Sequence, residues 1–356
     1  KLLFAAFFLF TFNVLGQDLK KIIDKNDELK LQKFLNKEGD INQPILIKAV
    51  DEESDNTYTT PLSYAVGYDY PNAVKFFIDN KDKNPDFQKD LTQAFILSFS
   101  RDDITVIDML WAENPDLSLT CELCHNANAI MIAARYGVED WYFKLKPLSD
   151  LQFVTSENKN LLHFVAESSS EKIIKDVLTI DGLDYNLESV NGEFPVAYAA
   201  MNTHYNGVFE DFIVNGANPK LQKDLFEFVI EGNNSNALNY IFDNGMETNF
   251  WEPHPEYGYI ALTYALMKTY VAGELVYEEN QDKFCQTLIE MHIQDASDEG
   301  KVDEMWEVVY SGGVFYGVLD LSEDFNSIDV FATYLDLWSK LEDLGGYSIL
   351  FPKKYY

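Results

Sequence analysis

Cys121-Glu122-Leu123-Cys124-His125 is the stretch of this chain whose residue types and spacing match a reactive motif. Two thiols three positions apart, followed directly by histidine, form the attachment pattern of a c-type haem, with both sulfurs bonded to the porphyrin and the imidazole on iron. The same thiols can instead close a Cys121–Cys124 disulfide in an oxidising compartment, stay free, or bind a metal. A zinc site would need further ligands, and Cys285, the third cysteine, lies far along the chain. A redox or c-type haem protein is therefore the alternative reading of the whole chain.

The remaining candidates for chemistry do not assemble. The five histidines, His125, His163, His204, His254 and His292, are dispersed. No G-x-S-x-G, H-E-x-x-H or phosphate-binding glycine loop occurs. Carboxylate pairs such as Glu52-Glu53 carry no specificity in a chain with 59 acidic residues. The run from Asp51 to Asn56 is rich in oxygen ligands but lacks the residue order of an EF-hand, so it reads as a solvated loop. We expect no enzyme, no cofactor and no metal site.

What remains is to ask which elements the sequence builds. The 47% apolar and 15% aromatic content excludes a disordered chain, and 356 residues exceed one ordinary core, which leaves two domains or a repeat array. The net charge of −32, with no basic block, argues against nucleic acid; it reads as a solvated surface or, more sharply, as a field that attracts cationic partners or calcium. Residues 1–16 read as a secretory signal peptide: Lys1, an apolar run from Leu2 to Phe10, then Val14 and Gly16 at positions a signal peptidase accepts. The run is well short of the ~20 residues of a membrane span. We expect cleavage near Gly16–Gln17 and a periplasmic or secreted chain with no stable membrane insertion.

Past the leader one unit recurs. A polar residue opens a short alanine-containing apolar cluster, polar residues follow, and a second apolar segment ends in Asn-Gly or Asn-Pro. The clearest copy runs from Asn191 to Pro219, and others start at Thr60, Asn128, Asn160 and Ile260. The two Asn-Pro-Asp turns at Asn84 and Asn114 are 30 residues apart, and the Asn-Gly turns at Asn215 and Asn244 are 29 apart. Pro61 and Pro195 sit where a helix starts, since the first helical N–H has no partner for proline to lose. Thr60 can cap the first turn. Ala65, Ala133, Ala199 and Ala265 are small where helices approach each other. Second helices show three- and four-residue apolar spacing: Val74, Phe77 and Ile78; Ile104, Ile107 and Leu110; Ile173, Ile174 and Val177; Phe209, Phe212 and Ile213. Gly216 and Gly245 end them.

Thr60-Pro61-Leu62, the Leu162-His163 pair and Gly192–Ala200 followed by Asn215-Gly216-Ala217-Asn218-Pro219 resemble the ankyrin repeat, a helix pair of ~33 residues. The resemblance covers roughly Asp18 to Val314. It implies an all-α solenoid of stacked helix-turn-helix units with short hairpin loops and terminal caps. The expected organisation is a capping repeat at 17–42, an array at 43–314, and a C-terminal helical cap and tail at 315–356. The resemblance also places the cysteine motif in a hairpin and makes His163 a structural residue.

The resemblance implies binding of a protein partner through the concave face. Carried over position by position, that face holds Tyr58, Tyr68, Arg135, Tyr136, Glu167, Glu193, Met201, Asn202, Tyr259, Met267 and Lys268, with Trp251 and Tyr257 in the loop before the last unit. Tyrosine, methionine and arginine are types that interfaces enrich. The acidic charge suits a partner with a basic surface, neutralised or scaffolded by this chain.

Overall fold

The computed structural model describes residues 19–47, 57–101, 104–202, 204–205, 207–232 and 234–246. The expected leader, the run Asp51–Asn56, Trp251, Tyr257, Tyr259, Ala265, Met267, Lys268, Cys285 and the expected C-terminal cap lie outside them. The chain divides into two compact units, one ending at Leu183 and the other starting at Asp184.

The first unit is helical apart from one hairpin. Helical residues 19–23 (α1) and α2 (Glu28–Leu35) precede β1 (Ile45–Ile47) and β2 (Thr57–Thr59), which pair antiparallel with Ile45 opposite Thr59 and Ile47 opposite Thr57. Four helix pairs follow: α3 (Pro61–Gly67) with α4 (Pro71–Asp79), α5 (Phe87–Ser98) with α6 (Ile104–Ala112), α7 (Ala129–Arg135) with α8 (Glu139–Leu145), and α9 (Leu161–Val165) with α10 (Glu171–Val177). Local chemistry sets the starts. The Thr60 hydroxyl accepts the Ser63 N–H at 3.2 Å, with Pro61 at the first helical position. Asn128 Oδ1 accepts the Met131 N–H, also at 3.2 Å. At α9 the Asn160 side chain accepts the Leu162 N–H while His163 Nδ1 accepts the Asn160 N–H at 3.1 Å, so the buried His163 closes a capping box on its own helix.

First helices touch in succession, α3 to α5 to α7 to α9, and second helices do so along α2, α4 and α6 and between α8 and α10. Ala65, Ala133 and Ala134 are fully buried, which lets the first helices approach closely. Side-chain amides tie one helix pair to the backbone of the next: Asn42 Nδ2 donates to Lys83 O at 2.8 Å, Gln88 Nε2 to Asn114 O at 2.9 Å, and Gln152 Nε2 to Asp181 O at 3.0 Å. Phe95, Phe99, Trp111 and Trp141 form one ring cluster under the second helices, and the Lys144 ammonium lies 4.5 Å and 3.8 Å from the centroids of Trp111 and Trp141.

The second unit repeats the plan with α11 (Pro195–Met201) and α12 (Val208–Val214), then α13 (Leu225–Gly232) and α14 (Ser235–Asp243). The two first helices pack together, as do the two second helices. Within this unit side-chain amides again tie neighbouring segments, with Asn186 Nδ2 donating to Gly216 O at 3.0 Å and the Phe194 N–H donating to Gln222 Oε1 at 2.9 Å. Gly216 (φ +109°) and Gly245 (φ +56°) follow α12 and α14 in left-handed conformations that close the helices.

Buried tyrosines bridge elements through their hydroxyls. In the first unit Tyr64 donates to Asp24 at 2.6 Å, and Tyr142 donates to Asp176 at 2.7 Å beside Lys146. Burial, then the Asp24 carboxylate, pushes the Tyr64 phenol up to about 12; burial raises Tyr142 as well. Since the unfolded chain ionises its tyrosines near ~10, this stability is fully present below that pH and is lost as pH climbs towards 12. Urea unfolding at pH 8 and pH 11 should show a loss that shrinks in Tyr64→Phe. An identical loss in that variant counts against the buried phenol.

Candidate binding face and the cysteine turn

Two hairpin tips share one piece of local chemistry, and a third departs from it. Thr155 Oγ1 accepts the N–H groups of Glu157 and Lys159, both at 3.2 Å. Ser189 Oγ accepts those of Asn191 at 3.3 Å and Glu193 at 3.1 Å. Cys121 occupies the corresponding position of a third tip, where its carbonyl, not its side chain, gathers the N–H groups of the turn. These three positions are spaced evenly, 34 residues apart, yet no hydroxyl stands at the first of them. The span from the acceptor to the helix cap is five residues from Thr155 to Asn160 and from Ser189 to Phe194, and seven from Cys121 to Asn128. The two additional residues allow a single 3₁₀ turn, Glu122–Cys124, held by N–H bonds from Cys124 and Asn126 to the Cys121 carbonyl, both 3.0 Å.

This turn separates the groups that a haem would need together. Cys121 and Cys124 are 0% and 7% exposed, whereas the His125 side chain is 54% exposed and faces Glu157, Nδ1 to Oε1 3.4 Å. His125 and Asn126 both adopt left-handed backbone, φ +56° and +55°, which turns the imidazole away from the thiols. In this structure the two thiols of the motif are thus buried and its imidazole lies at the surface. Of the states the sequence left open for Cys121 and Cys124, this structure has free thiols and no disulfide between them. Their thiols hydrogen-bond each other, which holds Cys124 well above the usual thiol range and draws Cys121 down.

Of the residues expected on the binding face, the first unit brings Arg135, Tyr136 and Glu167 together. Arg135 Nη2 bonds Glu167 Oε1 at 2.8 Å across α7 and α9, and its guanidinium lies 5.9 Å from the Tyr136 ring centroid. Burial pushes the Glu167 carboxyl above its ordinary range, against the pull of Arg135. Both side chains are committed to each other, so Tyr136, 47% exposed, is the member of the three most open to a partner. Tyr68 is 49% exposed and stacks on Tyr64 and Tyr70, at centroid distances of 4.5 and 6.2 Å. Tyr68 and Tyr136 are the C-cap residues of α3 and α7, equivalent positions in two helix pairs. Tyr58 is exposed on β2.

In the second unit Glu193 and Met201 are half-buried, and Glu193 accepts the Tyr198 hydroxyl. Asn202 is corrected from a binding position to a structural one. It is 5% exposed, and its Oδ1 accepts the N–H groups of His204 at 2.8 Å and Tyr205 at 3.0 Å, closing the turn after α11.

Sequence reasoning missed a cleft of about 470 Å³ in the first unit, between the β1–β2 hairpin, α3, α5 and the cysteine turn. Its signal was Leu123, an apolar residue inside an otherwise polar loop. Among the described residues no helix is long and apolar enough to cross a membrane, and no group of three His, Cys, Asp or Glu side chains is placed to hold a metal. Compared with protein-family models the chain matches none, and compared with curated proteins it likewise finds no match.

Proposed function

We propose that this chain is an exported ankyrin-type scaffold that binds a protein partner with a basic surface and catalyses no reaction. The observation that carries this reading is the succession of helix pairs in which equivalent C-cap positions, Tyr68 and Tyr136, hold half-exposed tyrosines. The polar ladder between successive pairs supports the repeat, and the apolar run from Leu2 to Phe10 supports export. The net charge of −32 sets up a field that attracts cationic surfaces and speeds encounter, while the tyrosines supply the desolvated contacts that slow release.

The test is affinity capture of the mature chain's partner from the extracytoplasmic fraction at low and high salt, followed by binding kinetics. Association should slow as salt rises. Tyr68→Ala and Tyr136→Ala should each chiefly speed dissociation, with a cost of ~2 kcal/mol, or about thirty-fold in affinity. Lys75→Ala on α4, whose ammonium bonds Asp79 at 2.6 Å at the surface, should change little. Full binding by both tyrosine variants, with loss in variants of the second helices, would place the interface on the other side of the helix pairs.

A further inference from the structure

The cleft beside Tyr68 has the chemistry of a seat for a single side chain. Ile47, Leu97 and Leu123 give it apolar walls, and Tyr68 forms the exposed aromatic flank. Its lining also includes Thr59 and Ser63, which are 6% and 1% exposed. Neither Thr59 Oγ1 nor Ser63 Oγ has a hydrogen-bond partner. A buried hydroxyl without a partner is costly, and native structures keep few of them. Both can donate and accept, and each reorients by rotation about χ1, so together they suit an amide group, which offers one N–H and one C=O. At the rim, Asp69 and Arg101 place one charge of each sign. The cleft's volume falls in the range of sites that hold small ligands or a short peptide stretch.

The two-residue lengthening of the cysteine tip points the same way. It creates the 3₁₀ turn that carries Leu123 into the cleft wall, at a tip where Thr155 and Ser189 keep the shorter form elsewhere. An apolar side chain left partly exposed on a polar loop has no role in that loop's own hydrogen bonding.

We propose that this cleft takes one bulky apolar side chain from an extended segment of a partner polypeptide, with the segment's amide groups meeting Thr59 and Ser63. The inference rests on the partner-binding reading above and names the contact that anchors it. The acidic field of the chain selects segments with a basic residue next to the anchor, paired with Asp69.

The test uses the full chain and a fragment of defined chemistry, N-acetyl-phenylalaninamide, with N-acetyl-alaninamide as the form lacking the anchor. Binding is followed by amide chemical-shift changes. The phenylalanine fragment should saturate with a dissociation constant on the order of 1 mM, typical of so small a ligand, and shift resonances around Tyr68, Leu97 and Leu123. The alanine fragment should bind at least tenfold more weakly. Leu123→Asp, on the exposed tip, should weaken the phenylalanine fragment by tenfold or more without altering the circular dichroism. Ser63→Ala removes an unpartnered hydroxyl, so it should leave the urea midpoint unchanged or higher and still lower fragment affinity several-fold. Equal binding of the two fragments, absence of saturable shifts, or unchanged affinity in both variants overturns the proposal. The arms stay separable: a chain that captures a partner yet ignores the fragment removes the cleft alone, whereas a chain that binds the fragment yet captures no partner removes the partner reading.

Discussion

Phe95→Ala should destabilise the first unit by about 3–5 kcal/mol, the range for deleting a buried aromatic ring. Phe95 is fully buried in α5, and its ring meets Phe99 at 4.9 Å, Trp111 at 5.6 Å and Trp141 at 5.6 Å between centroids. It is therefore the hub through which α5, α6 and α8 share one core. The neighbours are large rings wedged against each other, with Trp111 and Trp141 only 5.3 Å apart, so they cannot collapse smoothly into the vacated space. Lys144, held over both tryptophans, would lose its seat as they shift. Denaturant unfolding followed by tryptophan fluorescence reads the effect directly, because two of the chain's five tryptophans lie in the cluster. A loss below ~1 kcal/mol would mean that these rings do not pack as one core.

Among the described glycines of the second unit, Gly232→Ala should be the most damaging addition of a single methyl. A Cβ at this position would lie 2.5 Å from the Ala200 carbonyl oxygen and 2.5 Å from Met201 Cα. Both are backbone atoms of the neighbouring first helix, so no rotamer change relieves the clash. α13 must move off α11, and overpacking of this kind costs ~1–3 kcal/mol even though alanine favours a helix by about 1 kcal/mol over glycine. Gly216→Ala is the control: its Cβ would meet nothing within 4 Å, and its cost comes from φ +109° alone. Urea midpoints compare the two. A neutral Gly232→Ala would show that the close approach of α11 and α13 is not needed.

The amino-acid sequence by itself determined several helix starts and stops and much of the apolar stripe of α4, α6, α10 and α12, because those depend on residues within a few positions of each other. Thr60-Pro61, Asn128, Asn160 and Pro195 stand at helix starts through bonds to N–H groups two or three residues on, or through proline's missing donor. Ala65, Val74, Phe77, Ile107, Leu110, Ile173, Ile174, Val177, Phe209 and Phe212 are buried where the sequence places them, while Ile78 and Ile213 are only half-buried at the edges of their stripes. The tertiary structure alone decided what faces what. Nothing in Cys121 to His125 tells a reader that the thiols are buried and the imidazole exposed; that follows from a turn with two successive left-handed residues, His125 and Asn126, tied to the Cys121 carbonyl. Asn202 looked like surface until the turn after α11 claimed its carboxamide. The cleft was invisible for the same reason in stronger form: Ile47, Thr59, Ser63, Leu97 and Leu123 lie on five separate elements, and only long-range packing, which leaves no local periodicity, brings them to one wall.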